Sequence, residues 1–272
     1  WVLEIRDLWP DSIFAVGAIR NRHIIALLSA LERFAYRTAS HIVVVTDSFK
    51  SHICKLDIAA AKITVIKNGV DLSLFKVSYV QEIAQMKNFI AEKSGITLEG
   101  KFVAAYVGTH GMAHKLETVL DAAQLCRNDS RLIFLLVGDG AERKSLFEKS
   151  RKMQLSNVIM LEQMPKTAMP AIWGVTDVSL VLLKKSDLFK TVIPSKIFES
   201  MAMQRPIILG VEGEVRDLIN EAGSGICITP ESANELAAAV THLCNDADAY
   251  RHMAQAGKAF VQIHFDRRRL AL

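Results

Sequence analysis

The chain holds few cysteines, and none in a pattern that would put them to chemical use. Cys54, Cys126, Cys227 and Cys244 are scattered through 272 residues without a CxxC pair. This excludes a disulfide scaffold or a thiolate metal site, and it fits a reducing compartment, the cytoplasm, where a thiol behaves as a small hydrophobe. No apolar run approaches the roughly 18 residues of a membrane span. No GxSxG elbow or reactive Cys–His pattern occurs, and the histidines show no HxH pair, so no metal and no other cofactor is expected. Charge of one sign is scarce as well: the net charge is +4. That suits an anionic small molecule or an anionic membrane surface. It is too dispersed for nucleic acid, since the only compact basic run is Arg267-Arg268-Arg269. An initiator Met and a signal-peptide pattern are also missing. Trp1-Val2-Leu3-Glu4-Ile5 already reads as a buried strand, and the last residues, Arg269 to Leu272, stop inside a helical pattern. The expectation is therefore a fragment of a longer protein.

What is present is a regular alternation. From Lys101 onward, apolar runs at Phe102–Val107, Leu132–Val137, Val158–Leu161, Val178–Leu183, Ile207–Leu209 and Gly225–Ile228 are each followed by an amphipathic stretch. Strands buried on both faces read as continuous apolar runs, and the stretches between them read as crossover helices. The fold class is α/β, a doubly wound and mostly parallel sheet. The first part, with strands at Trp1–Ile5, His41–Val45 and Ile63–Ile66, has the same grammar but too few units for a complete domain of this kind. The turn signal Asn68-Gly69-Val70-Asp71 and a polar helical stretch, Gln81 to Lys93, separate the two parts. The predicted organisation is 1–75 as the C-terminal part of a first Rossmann-like domain, 76–100 as a connector and 101–272 as a second Rossmann-like domain.

The segment Val192-Ile193-Pro194-Ser195-Lys196-Ile197-Phe198-Glu199 carries the sharpest chemical signal. Pro-Ser-Lys opens a helix, whose N-terminal N–H groups and partial positive charge suit a phosphate. Lys196 adds a full charge there, and Glu199, one turn deeper, is placed to accept from the hydroxyls of a ribose. An ordinary capped helix with a solvated Glu has the same sequence. Gly108-Thr109-His110-Gly111 follows a strand and precedes a helix, a second place where backbone N–H groups approach phosphate, with His114 and Lys115 in the following turn. Gly138-Asp139-Gly140 reads as a cleft floor or as the cap of the next helix, because Asp139 would repel an anion. In Glu212-Gly213-Glu214, Gly213 can present backbone N–H groups, and Glu214 is a first-turn residue favoured by the helix dipole. In open α/β sheets such loops meet at the C-terminal edge, where ligands bind. In the first part, Asp7 in Arg6-Asp7-Leu8-Trp9-Pro10-Asp11 is a candidate contact for a second substrate, or one half of a local Arg–Asp pair. Arg20–Arg37 reads as an amphipathic helix covering a sheet, in preference to one lying on a membrane.

Together these motifs resemble the retaining glycosyltransferases of family 4, whose GT-B fold sets two Rossmann-like domains across a cleft. The resemblance is carried by Lys62 to Asp71, Tyr106 to Gly111, Val137 to Gly140 and Pro194 to Ala202. Arg6 to Ser12 is similar to the WbuB-type enzymes of O-antigen and capsule synthesis. It implies a nucleotide-sugar donor, UDP-linked, held by residues 101–272. It also implies a lipid-linked or glycan acceptor at the first domain, and peripheral contact with the inner face of the plasma membrane. The donor-binding set it implies is Gly108, Thr109, His110, Gly111, His114, Lys115, Gln163, Pro194, Ser195, Glu199, Gly213 and Glu214, with Lys196 and Asp7 as catalytic residues. There are departures. Thr109 and His114 stand where many relatives carry Arg and Lys as diphosphate clamps, Lys115 stands for a Gly, and Thr191 for an acidic residue. The missing charge then falls to Lys196, Lys115 or a protonated His114. The family account is front-face attack with retention, the leaving phosphate helping to deprotonate the acceptor. A GT-B sugar-nucleotide epimerase and a non-catalytic nucleotide-sugar-binding module are the alternatives.

Overall fold

A computed structural model describes residues 1–17, 19, 21–76 and 80–270; Ala18, Arg20, residues 77–79 of the expected connector and residues 271–272 lie outside it. The first part contains β1 (Val2–Ile5), α1 (Asp11–Ala15), α2 (Arg22–Thr38), β2 (His41–Val44), α3 (Asp47–Cys54) and β3 (Ile63–Val65). Its strands lie parallel in the order β1-β2-β3. The helices that make the crossovers bury Ile42, Val44, Phe49, Ile53 and Ile63 against them. Local chemistry sets the helix ends. Asn21 Oδ1 accepts from the His23 N–H at 2.9 Å to start α2, and Thr46 Oγ1 accepts from the Phe49 N–H at 3.0 Å to start α3. At the far end of α2, Lys62 Nζ donates to the carbonyls of Tyr36 and Arg37 at 2.7 and 2.8 Å, where the helix dipole favours a cation.

After α4 (Val80–Ser94), the second part runs β4 (Phe102–Val107), α5 (Glu117–Leu125), β5 (Leu132–Val137), α6 (Arg143–Lys152), β6 (Val158–Leu161) and α7 (Met169–Gly174). It continues with β7 (Val178–Leu182), α8 (Lys196–Ala202), β8 (Ile207–Gly210), α9 (Glu214–Ala222), β9 (Gly225–Cys227), α10 (Ala233–Asn245), α11 (Ala247–His264) and α12 (Arg267–Leu270). The six strands are parallel in the order β6-β5-β4-β7-β8-β9. Along β4 the side chains alternate between two helical layers. Val103, Ala105 and Val107 pack with α4, α7, α8 and α9, while Ala104 and Tyr106 pack with α5 and α10. Both faces are covered, so the strands are apolar throughout, as the sequence pattern predicts. The strand order reverses between β4 and β7, and the connections leave those two strands for opposite sides. A crevice opens at their C-terminal ends.

Two features depart from the sequence reading. The helix predicted over Arg20–Arg37 exists as α2, but the apolar stripe is not what it buries. Ile24, Leu27, Leu31 and Phe34 are 45, 69, 55 and 63% exposed, and Tyr36 is the buried residue. The helix is rotated so that Tyr36 enters the core and its hydroxyl donates to Glu32 at 2.7 Å. The second feature is α11, which carries the chain back toward the first part. Phe265 stacks on Phe198 at 4.5 Å between ring centroids. Val70 N–H then donates to the Phe265 carbonyl at 2.9 Å, Arg267 N–H to the Val70 carbonyl at 3.0 Å, and Arg267 Nη2 to the Gly69 carbonyl at 3.1 Å. A Cβ at Gly69 would lie 2.5 Å from the Phe265 carbonyl oxygen. The Asn-Gly-Val-Asp turn therefore needs its glycine to admit the returning chain.

Candidate active site

The glycine turn after β4 and the helix after β7 meet at the crevice. A Cβ at Gly108 (φ 141°) would stand 2.9 Å from Lys196 Nζ. The turn is buttressed from below by Gly138-Asp139-Gly140: a Cβ at Gly138 would lie 1.9 Å from the Gly108 carbonyl oxygen, and one at Gly140 2.6 Å from the His110 carbonyl oxygen. The His110 N–H donates to the Asp139 carbonyl at 2.8 Å and the Glu142 N–H to the His110 carbonyl at 2.9 Å, locking the two turns together. Asp139 does not cap α6; its Oδ1 accepts from the Gly140 N–H at 2.8 Å. Beside this floor is a cavity of about 210 Å³ lined by Gly108, Thr109, Gly138, Asp139, Gln163 and Met164.

Lys196 is the cation of the site. Its Nζ sits 3.7 Å from the centroid of the Tyr106 ring, over the electron-rich face. Burial pushes its pKa down to about 7, with the Glu199 carboxylate pulling the other way. By surface area the residue keeps partial exposure, so the ammonium is crowded by protein yet open to a ligand. Glu199 is half-buried. Burial raises its pKa above the ordinary carboxylate range, while the Trp173 indole, then Lys166, Lys196 and Arg267, oppose the shift. The solvated-Glu reading is thereby set aside, and so is the capped helix. Ser195 is exposed and makes no side-chain cap, and the N–H groups of Ile197 and Phe198 turn back to the carbonyls of Pro194 and Ser195 at 3.2 Å. The first turn of α8 thus offers a ligand fewer free N–H groups than its sequence predicts.

Of the two expected reserve charges, one is uncharged and the other is taken up by a neighbouring carboxylate. His114 donates through Nδ1 to the Leu182 carbonyl at 3.3 Å, and burial, helped by nearby Lys196, holds its pKa down to about 4. It is a neutral imidazole at pH 7, not a clamp cation. His110 is fully buried with neither ring nitrogen partnered. Burial, then Arg143, pushes its pKa to about 4 as well. The sequence reading passed over the i,i+4 spacing of these two histidines; among the described residues, no group of three His, Cys, Asp or Glu that could hold a metal forms around them. Lys115, at φ 47°, pairs with Glu117 at 2.8 Å.

Thr109 and Gln163 are exposed at the cavity rim, Pro194 is half-buried, and Gly111 packs against His114. The Thr109 carbonyl accepts from the Tyr106 hydroxyl at 2.8 Å. Gly213 (φ 84°) fits against the Lys190 backbone, where a Cβ would meet the carbonyl oxygen at 2.0 Å. Glu214 is not brought to the turn at Gly108 or to Lys196. It reaches the first part instead, accepting from the Ser48 N–H and hydroxyl at 3.1 and 2.8 Å, with Lys67 at 3.7 Å. Thr46 Oγ1 donates to the Thr191 carbonyl at 3.0 Å beside it. Asp7 is exposed at the end of β1 and is not paired with Arg6, whose Nε goes to Glu4 at 2.8 Å. Tyr106, whose ring lies under the Lys196 ammonium, and Trp173, whose indole bears on the charge of Glu199, were invisible as site residues because each sits in an apolar run of ordinary core character.

A parallel sheet whose order reverses at a crevice, with a glycine turn and an ammonium meeting there, has the architecture of doubly wound α/β proteins, which bind ligands at such switch points. Residues 87–260 match the model of the glycosyl transferases group 1 family, and residues 10–74 match that of glycosyltransferase family 4. The chain belongs to the glycosyl transferases group 1 family. It is 27% identical over 248 residues to a probable glycosyltransferase, WbjE, of Pseudomonas aeruginosa, covering 90% of this chain and 60% of that protein. It is 24% identical to WcaI of Escherichia coli K12, a putative colanic acid biosynthesis glycosyl transferase, covering 88% of this chain and 58% of that one. The chain thus spans about 60% of the length of these relatives. Among solved structures, HepE of Anabaena in complex with UDP-glucose superposes with a TM-score of 0.80 at 18% identity, over 99% of this chain and 70% of HepE. WaaG, a glycosyltransferase involved in lipopolysaccharide biosynthesis, superposes at 0.71 with 13% identity, over 99% of this chain and 73% of WaaG. Both have the GT-B α/β architecture seen here.

Proposed function

We propose that this chain carries the donor site of a retaining glycosyltransferase. In this reading it takes a sugar from a UDP-linked donor and passes it to a lipid-linked or glycan acceptor in bacterial surface-polysaccharide synthesis, at the cytoplasmic face of the membrane. The observation that carries the reading is the meeting of Lys196 Nζ with Gly108 at the switch point between β4 and β7, with Glu199 one turn farther on. A diphosphate at Gly108 has a mobile cation beside it and a glycine turn that admits its oxygens. The ribose falls toward Glu199, a carboxylate able to accept from both hydroxyls. The UDP-glucose complex of HepE and the polysaccharide relatives support UDP and the pathway class. The resemblance to the retaining glycosyltransferases of family 4 supports retention.

The chemistry follows from the charge balance. As the bond between the anomeric carbon and the diphosphate oxygen breaks, its electron pair leaves on phosphate. Lys196, held as the ammonium by the neighbouring diphosphate charge and taking its proton from solvent, stabilises that charge without a metal. The acceptor hydroxyl attacks from the same face, and its proton goes to the departing phosphate oxygen. Retention then needs no carboxylate nucleophile. Asp7, exposed at the end of β1, remains the candidate for the acceptor side. Calorimetric titration with UDP, against GDP and ADP, tests the donor assignment, with Glu199→Ala alongside. UDP-selective binding that is lost in the variant is expected. A folded chain that binds none of the three, or binds UDP equally well without Glu199, removes the assignment.

A further inference from the structure

One buried polar group beside Glu199 lacks a hydrogen bond that meets ordinary geometry. Trp173, on α7, is fully buried, and its indole Nε1 has no hydrogen-bond partner in good geometry. An unpaired N–H in a protein core is unfavourable, and such groups call for an explanation. The polar group it faces is the Glu199 carboxylate on α8, where the N–H favours the charged form. Both residues flank the same apolar layer, which holds Ile172, Ile197 and Phe198 at full burial. The indole cannot swing away without opening that layer.

The other groups facing Glu199 differ in kind. Lys166 comes from the turn before α7, Lys196 from its own helix and Arg267 from the returning chain. Each is a charge on a flexible stem, acting mainly at a distance. Trp173 alone offers a fixed, directional donor from the core side. A carboxylate held at one oxygen by such a donor cannot spin about its terminal torsion, which is otherwise broad. Its remaining lone pairs then face the crevice in one orientation.

We propose that Trp173 is the positioning residue of the donor site, its indole N–H closing on one Glu199 oxygen so that the carboxylate is presented edge-on to the two hydroxyls of the ribose. This rests on the reading of Glu199 as the ribose acceptor. The N–H that is short of a hydrogen bond in the free protein gains its partner when the nucleotide is bound.

Trp173→Phe removes the donor and keeps an aromatic ring. A second variant, with the benzothiophene analogue of tryptophan at 173, keeps the full shape in case the phenyl ring leaves a void. Binding of UDP and of 2′-deoxy-UDP is measured for both across pH 5 to 8, alone and in a Glu199→Gln background. Loss of a hydrogen bond to a charged group is expected to weaken UDP binding about tenfold in each variant. Binding of 2′-deoxy-UDP should change much less. The acid limb of the UDP affinity, where Glu199 takes up a proton, should move to higher pH because a group that lowers its pKa is gone. In the Glu199→Gln background neither variant should have a further effect. An analogue variant that binds UDP as the parent does, while Glu199→Gln is impaired, overturns the positioning role. So does an equal loss in the presence and absence of the Glu199 carboxylate. If Glu199→Gln itself binds UDP normally, the ribose reading fails and takes the positioning role with it.

Discussion

Donor binding should be coupled to proton uptake at Lys196. In the free protein its pKa is about 7, so about half the molecules carry a neutral amine at pH 7 and about 1% carry the ammonium at pH 9. A diphosphate beside Gly108 favours the ammonium and raises the pKa of the bound form toward or above the usual lysine range. Between pH 7 and 9 the terminal phosphate of UDP is already mostly ionised, so the free-state protonation of Lys196 dominates the trend. The UDP dissociation constant should rise about 50-fold over that interval, or about 2.3 kcal/mol. Calorimetry at pH 8 in buffers of different ionisation enthalpy should show nearly one proton taken up per UDP bound. Lys196→Met should bind weakly and with no pH dependence over the same range. A UDP affinity that is level from pH 7 to 9 in the parent chain would refute the argument. The same shift has a consequence for the fold. The folded pKa lies below that of the unfolded chain, so the unfolded state binds more protons between about pH 7 and 10.5, and stability rises with pH through that window. Lys196→Met should therefore raise the melting temperature at pH 7 while abolishing binding, the usual sign of a group strained for function.

Two further tests concern features beneath the site. His110 and His114 have pKa values near 4 in the folded chain, against 6.5 for a free imidazole, so stability is lost as pH falls from about 6.5 toward 4. Urea unfolding at pH 7 and 4.5 should show an acid loss smaller by roughly 1–2 kcal/mol in His110→Gln or His114→Gln; an equal loss in parent and variants would place the titrating groups elsewhere. Gly69→Ala would drive a methyl toward the Phe265 carbonyl oxygen, 2.5 Å away. It should lower stability by roughly 1–3 kcal/mol, read from thermal or urea denaturation. A neutral effect would mean that the returning chain does not pack there in solution.

Much of the donor half was legible in the sequence because its strands are buried on both faces. Phe102–Val107 and Leu132–Val137 admit little but apolar residues, and they pair along their whole length. Gly108 and Gly69 were legible as turns, and the reason each must be glycine came only with the neighbour it admits. What stayed hidden depends on partners distant in the chain. Glu214 reads as a first-turn acid, yet its partner Ser48 is 166 positions away. The long helix α11 went unnoticed because its buried positions, Ala254, Gly257 and Val261, are mostly small and make a faint stripe. The stripe on α2 was legible as a stripe, but nothing local told which way the helix would turn it. The charge state of His114 follows from burial by elements on either side of the turn, which no spacing encodes.

The return of the chain to Gly69 and Val70 gives the molecule a mechanical property. Polypeptide passes between the two sheets twice, outward after Val70 and back at Phe265, and the two passages are stitched side by side by main-chain hydrogen bonds. A single passage would act as a swivel, leaving each half free to twist about the other. Two stitched passages resist that twist, because turning one half against the other has to break the main-chain hydrogen bonds that Val70 makes with Phe265 and Arg267. The joint is thus double-stranded, and the side chain of Arg267 adds a third tie at the Gly69 carbonyl.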